Sequence, residues 1–220
     1  MNIVLVNPNT SSAVTADMVA LARSEFARLD VAAEVLGLTA PRGAALIDDP
    51  ARLAVAGQVV AGMVDDVRLL SADAVVVSAF GDPGVGALRA ALSVPVAGLA
   101  ESALEEAAQH GGFAIVTSTP ALEGHLEALV VAAGRGHWYR GIVYTDGDIA
   151  MLLRDPALLT AALQEACTDA LARWDVAALV IGGGPLARAA GSVRVPVGVV
   201  LVDPVRAAVR RVVARLDGAP

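Results

Sequence analysis

The run Ile3-Val4-Leu5-Val6-Asn7-Pro8-Asn9-Thr10 has a counterpart far along the chain, Phe113-Ala114-Ile115-Val116-Thr117-Ser118-Thr119-Pro120. Each is a continuous apolar run, then a short polar turn, then the start of a helical pattern. Uninterrupted runs of Val, Ile, Leu and Ala at this length read as strands buried on both faces, the mark of a parallel sheet. A second matched pair follows. Asp73-Ala74-Val75-Val76-Val77-Ser78-Ala79-Phe80-Gly81-Asp82-Pro83 parallels Ala178-Leu179-Val180-Ile181-Gly182-Gly183-Gly184-Pro185. Both lead through a short helix into near-copies, Val94-Pro95-Val96-Ala97-Gly98 and Val195-Pro196-Val197-Gly198-Val199. Three matched features in one order indicate a duplicated unit of about a hundred residues.

Working outward, strands are expected at Asn2–Val6, Val31–Leu38, Ala74–Ser78, Pro95–Leu99, Phe113–Thr117, Gly141–Thr145, Ala177–Gly182 and Val197–Val202. Between them lie helical patterns with readable starts. Asp49-Pro50, Asp155-Pro156 and Asp203-Pro204 each set a capping carboxylate before a proline at the first helical position. The helices are expected over Pro50–Leu70, Pro156–Trp174 and Pro204–Leu216, with others at Ser12–Leu29, Gly84–Leu92, Glu101–His110 and Ala121–Ala133. Alternating strands and helices make an α/β fold. The expected architecture is two pseudo-symmetric lobes, each a roughly four-stranded parallel sheet flanked by helices. Residues 1–98 with 203–220 would form the first lobe and 99–202 the second, with the site between them. Ligands of open parallel sheets sit beyond the carboxyl ends of the strands. That nominates the turns Asn7–Ser11, Ser78–Gly84, Thr117–Pro120 and Gly182–Pro185. They carry small residues, hydroxyls, amides and helix N-termini, whose unpaired N–H groups suit a carboxylate or a polarised carbonyl.

Composition narrows the function. Of 220 residues, 56% are hydrophobic and 18% charged, which excludes a disordered chain. Aromatics are 3%, so the core must be built from Ala, Val and Leu. No apolar stretch reaches the ~18 residues a membrane span needs. The net charge is −7 and no basic stripe appears, which argues against nucleic acid as a partner. Met1-Asn2-Ile3-Val4 lacks a basic segment and a cleavage site, so a cytoplasmic protein is expected. The single cysteine, Cys167, rules out an intrachain disulfide framework and thiolate metal clusters. No His, Asp or Glu group has metal-ligand spacing. The glycine-rich turns lack the lysine of a P-loop and the spacing of a dinucleotide site. No metal and no cofactor are therefore expected.

The turns carry a resemblance. Asn7-Pro8-Asn9-Thr10-Ser11 is close to the opening signature of hydantoin racemases, and Phe80-Gly81-Asp82-Pro83-Gly84 matches their mid-chain signature. Val116-Thr117-Ser118-Thr119 and Gly182–Pro185 fall where that group has its third and fourth turns. Over essentially its whole length the chain resembles the aspartate/glutamate/hydantoin racemase superfamily, which also contains arylmalonate decarboxylase and maleate isomerase. The resemblance implies a cofactor-independent enzyme on a small carboxylate, an amino-acid derivative or a cyclic ureide, usually assembled as a homo-oligomer. It implies substrate contacts from Asn7, Thr10, Ser11, Ser78, Phe80, Gly81, Thr117, Ser118, Thr119, Gly183 and Gly184. It also implies two cysteines, one removing the α-proton and the other returning a proton to the opposite face.

Here the sequence departs from the family. The two thiol positions hold Ala79 and Gly183, and neither side chain can carry a proton. Cys167 lies within a helical pattern, as a small core residue does. The two-thiol route is closed, and the expected function is proton transfer by a non-cysteine route. The alternatives are lyase or decarboxylase chemistry on the same scaffold, or a binding protein that has lost its chemistry. Ser78 and His125 are the remaining proton carriers near the turns. Ser78 reads first as a strand-end hydroxyl bonded to backbone, and His125 as a surface or partly buried histidine. Asp82 reads as the cap of the helix that follows it. Glu101 is either a buried carboxylate supporting the site or a first-turn helix charge, and His110 is a helix-end charge. His137-Trp138-Tyr139-Arg140 is a lid over the site, a packed loop or an oligomer contact.

Overall fold

The structure is a computed structural model that describes residues 1–183 and 186–218. In chain order the elements are β1 (Asn2–Asn7), α1 (Ser12–Arg28), β2 (Glu34–Thr39), α2 (Pro50–Ala61), α3 (Val67–Leu70), β3 (Ala74–Val77), α4 (Val85–Ala91), β4 (Val96–Gly98) and α5 (Leu99–His110). Then come β5 (Phe113–Thr117), α6 (Glu123–Ala132), β6 (Tyr139–Tyr144), α7 (Ile149–Leu152), α8 (Pro156–Arg173), β7 (Ala178–Gly182), α9 (Ala187–Ala190), β8 (Val200–Val202) and α10 (Pro204–Leu216). They form two four-stranded parallel sheets, ordered β2-β1-β3-β4 and β6-β5-β7-β8. The second order repeats the first, strand for strand.

The chain divides into two compact units, Met1–Ser102 with Val205–Pro220, and Ala103–Pro204. Each sheet is covered on both faces, so its inner strands are apolar through their middles, with Asn7 and Thr117 only at the ends of β1 and β5. β3, β5 and β7 are buried at every position, whereas the edge strands β2 and β6 alternate with solvent. In the first unit Ile3, Leu5, Val76 and Ala97 pack with Met18, Phe26, Val205 and Val209 from α1 and α10. Val4, Val6, Val75 and Val77 pack on the other face with Val60, Leu69 and Leu88. In the second unit Val116, Val143, Leu179 and Ile181 pack under α8, through Leu159, Leu163, Ala166 and Cys167. Burying about a dozen such side chains in each layer, at roughly 1.5–3 kcal/mol apiece, is what offsets the ordering of so many strands.

Capping sets several helix starts. Ser11 Oγ accepts from the Val14 N–H (3.3 Å), Asp49 from Arg52 (2.8 Å) and Asp155 from Ala157 (2.9 Å). The helix expected over Pro50–Leu70 is broken. Gly62 ends α2, its N–H returning to Gln58 and Val60, and Asp66 restarts the chain by accepting from the Arg68 N–H. The strand expected from Val31 begins only at Glu34, because Asp30 takes φ 56° and the Val31 N–H closes back on Phe26. The strand expected from Val197 begins at Val200, since Gly198 at φ 97° and a Val199-to-Pro196 bond form a turn first. Among the described residues no helix is long and apolar enough to cross a membrane.

Candidate functional site

At the carboxyl edge of the first sheet, the end of β1 is built around Asn7, which is fully buried. Its Nδ2 has three acceptors in reach: Asn9 Oδ1 (2.9 Å), Thr15 Oγ1 (2.9 Å) and the Ser11 carbonyl (3.1 Å). Its Oδ1 accepts from the Asn9 N–H (3.1 Å), and Asn9 Oδ1 in turn accepts from the Ser11 N–H (2.9 Å). Thr15 Oγ1 also lies 2.7 Å from Thr39 Oγ1, at the end of β2. Thr10 is tied by its backbone, the N–H donating to Ala44. The asparagines therefore spend their polar atoms on the shape of the loop and on the start of α1. Asn9 of the opening signature, Thr15 and Thr39 complete this network, and the two threonines lie outside the nominated turns. Thr15 stands one turn after Ser11 in α1 and Thr39 is the register partner of Asn7, so helix spacing and strand pairing together are the signal.

Ser78 continues β3 at the same edge, its N–H donating to Val6 (2.8 Å). It is buried, and its hydroxyl reaches only the Val76 carbonyl, at 3.4 Å. A turn then runs from Ala79 to Asp82, with Phe80 and Gly81 buried and Gly81 at φ 140°. The reading of Asp82 as the cap of its own helix is corrected. Gly84 stands at the start of α4, whereas Asp82 caps α5. Its two oxygens accept from the N–H groups of Ala100 and Glu101, each at 2.8 Å. To do so Asp82 takes φ 52° and lays its carboxyl against Gly98, where an added Cβ would stand 2.2 Å from Cγ. Burial pushes the Asp82 carboxyl up to about 7 against these bonds and Arg89, with Glu101 adding to the rise. Glu101 accepts from the Gly98 N–H (3.0 Å) and pairs with Arg89, which also holds the Val96 carbonyl. Glu101 is thus both a first-turn charge and a partly buried support for this turn.

At the carboxyl edge of the second sheet, Thr117 is buried and its hydroxyl donates to the Gly182 carbonyl. Thr119 Oγ1 lies 3.2 Å from Thr117 Oγ1, and Ser118 and Thr119 are half-buried. Gly183 takes φ 154° and its carbonyl accepts from Leu186 (3.0 Å). Gly184, nominated with it, lies outside the described residues. His125 sits half-buried in the first turn of α6. His137-Trp138-Tyr139-Arg140 is not a lid over this edge. Tyr139 begins β6 and pairs with Phe113, so the run lies at the amino end of the sheet. Cys167 is fully buried, and burial pushes its thiol up to about 12, so it holds no thiolate near neutrality. Among the described residues no group of His, Cys, Asp and Glu is placed to hold a metal ion. A cavity of about 550 Å³ in this unit lies along β6 and α8, and none of the nominated residues lines it.

The order and content of these edges can be set against known proteins. The profile described as Asp/Glu/Hydantoin racemase matches residues 3–212. The chain belongs to this racemase family. A hydantoin racemase from Paenarthrobacter aurescens is 28% identical over 96% of this chain and 89% of its own length. The structure of an allantoin racemase from Klebsiella pneumoniae superposes with a TM-score of 0.89 at 29% identity, covering 100% of this chain and 89% of that one. Arylmalonate decarboxylase shares the fold, with a TM-score of 0.65 at 17% identity over 100% of this chain and 94% of that one. The chain is thus a racemase-family enzyme of the isomerase class, built on the fold its sequence implied.

Proposed function

We propose that this racemase-family enzyme takes a small carboxylate or a hydantoin-like cyclic ureide and moves a proton at the carbon beside its carbonyl, with neither a cysteine nor a cofactor. The observation that carries the reading is likeness over nearly the whole chain to proteins that are themselves a hydantoin racemase and an allantoin racemase. The substrate contacts come from the carboxyl edges. In the first unit these are Asn7, Thr10, Ser11, Ser78, Phe80 and Gly81. In the second they are Thr117, Ser118, Thr119, Gly183 and Gly184. Removing the α-proton leaves an electron pair that moves into the carbonyl and makes an oxyanion. Backbone N–H groups at turns and helix starts, fixed before the reaction, stabilise such charge. Reprotonation from the other face then gives the mirror-image product. The proton carriers are His125 and Ser78.

Solvent deuterium settles the matter. Hydantoins, allantoin, amino acids and malonates are incubated with the enzyme in D2O and followed by NMR. Exchange of the α-proton with loss of optical rotation is the expected outcome for at least one ureide. No exchange in any of them overturns the reading. A second reading, decarboxylation or lyase work, is favoured by one observation. The thiol positions hold Ala79 and Gly183, so the matched pair that two-sided proton transfer requires is missing there. Release of carbon dioxide or a cleaved carbonyl product, without racemisation, would select it.

A further inference from the structure

Among the described residues four buried side-chain polar atoms lack a hydrogen-bond partner: Arg135 Nε, the hydroxyls of Tyr139 and Tyr144, and Thr145 Oγ1. Three belong to residues that keep partial exposure. Thr145 does not; it is 7% exposed. It stands one residue past β6, and its N–H donates to the Thr117 carbonyl (2.9 Å), at the edge to which substrate contacts have been assigned. The repeat supplies an internal control. In the first unit the residue one past β2 is Ala40, whose N–H donates to the Asn7 carbonyl at the same 2.9 Å. Ala40 is 3% exposed, so a methyl group satisfies the fold at this place. The second unit has a hydroxyl there, which the fold does not need and no neighbour satisfies. A buried hydroxyl without a partner costs about as much as a lost hydrogen bond, so such atoms occur where something else supplies the partner.

We infer that Thr145 is a specificity-determining residue whose hydroxyl is completed by the substrate, through a carbonyl or an N–H of a cyclic ureide. A hydroxyl can donate to the first and accept from the second. The inference rests on the proposed function, since it takes the ureide as the ligand. It adds a residue that neither the turn motifs nor the duplicated signatures mark.

The test is calorimetric titration of hydantoin and allantoin into the intact enzyme and into T145V and T145S, with thermal unfolding of each protein alone. Valine keeps the shape and removes the orphan. We expect T145V to unfold at the parent's temperature or above it, and to bind the ureide about 10-fold or more weakly, the cost of one buried hydrogen bond. T145S, which keeps a hydroxyl, should restore most of the affinity. Parent-like ureide affinity in T145V overturns this inference and leaves the proposed function standing. A fall of several degrees in the unfolding temperature of T145V also overturns it, because the hydroxyl then has a partner inside the protein. If the parent binds neither ureide, the proposed function fails and this inference fails with it.

Discussion

At the end of β1, Asn7 is bonded on every side to Asn9, Ser11 and Thr15, and Thr39 closes the group; at the end of β5, the Thr117 hydroxyl has one carbonyl and one neighbouring hydroxyl, and the Thr145 hydroxyl has no partner among the described residues. The strand order around the two positions is the same. Duplication kept what makes a sheet and let the edges diverge. The first unit's edge is a closed polar network that fixes a loop. The second unit's edge carries fewer side-chain bonds among the described residues. The helical layers differ too. Glu25, fully buried in α1, is held by Arg28 from its own helix and by Arg206 and Arg210 from α10, the contacts to Arg28 Nε and Arg206 measuring 2.9 Å. Among the described residues the second unit buries no charged side chain.

The largest expected effect strikes that ion cluster. Burial alone would raise the Glu25 carboxyl, but the three guanidiniums outweigh it and hold it at about 2, below its ordinary 4.5. A carboxyl depressed on folding adds stability above pH 4.5, and that stability is lost as the pH falls through about 2. We expect Glu25→Gln to lower stability at neutral pH by about 3 kcal/mol and to flatten the acid arm of the unfolding curve. An acid arm unchanged in denaturant titrations would remove Glu25 from the account of the first unit.

Next comes the contrast between the edges. Asn7→Ala should cost about 2–3 kcal/mol, because it strips partners from Asn9, Ser11 and Thr15 together, while Thr117→Val should cost about 1 kcal/mol. Equal losses in urea unfolding would show that the two edges are equally braced. The thiol positions give a smaller difference. Ala79→Cys should be nearly neutral, whereas Gly183→Cys must adopt φ 154° and bring its Cβ to 3.3 Å from Leu186, at about 1–2 kcal/mol. Provided both fold, the double variant should exchange the α-proton of a hydantoin with solvent deuterium faster than the parent. A folded, ligand-binding double variant with the parent's rate would mean the scaffold has diverged beyond its thiols.

The smallest effect is at Asp82. Its carboxyl is raised on folding, so the stability linked to its proton is complete below about pH 4 and is lost as the pH rises through about 7. Asp82→Asn keeps one acceptor for the start of α5. At neutral pH it should change stability by about 1 kcal/mol, and it should level the slope between pH 4 and 7. A slope that persists in the variant would assign it to another group.

Most of the fold was legible because it is written locally. Continuous Val and Ala runs, Asp-Pro starts and the repeated order of motifs gave both sheets and nearly all the helices. What escaped depends on partners far along the chain. Glu25 reads as an ordinary helix carboxylate until α10 arrives 181 residues later. Asp82 reads as a local cap because nothing near it shows that Gly98 leaves room for its carboxyl, 18 residues before the N–H it serves on Ala100. Gly62 and Asp66 break a helix whose apolar spacing runs on through them. At the edges, the turn residues are nominated by the strand ends and by resemblance. Thr145 is not, since only the comparison with Ala40 gives its hydroxyl a meaning.

The chain's lone sulfhydryl has a practical consequence. Cys167 lies on the buried face of α8 with Leu163, Ala166 and Ala170, and it is the only cysteine in the sequence. An alkylating reagent therefore finds nothing to modify until that layer opens, and each molecule then takes a single label. The rate of labelling is a clock for the opening of the second half of the protein alone, read without adding a probe.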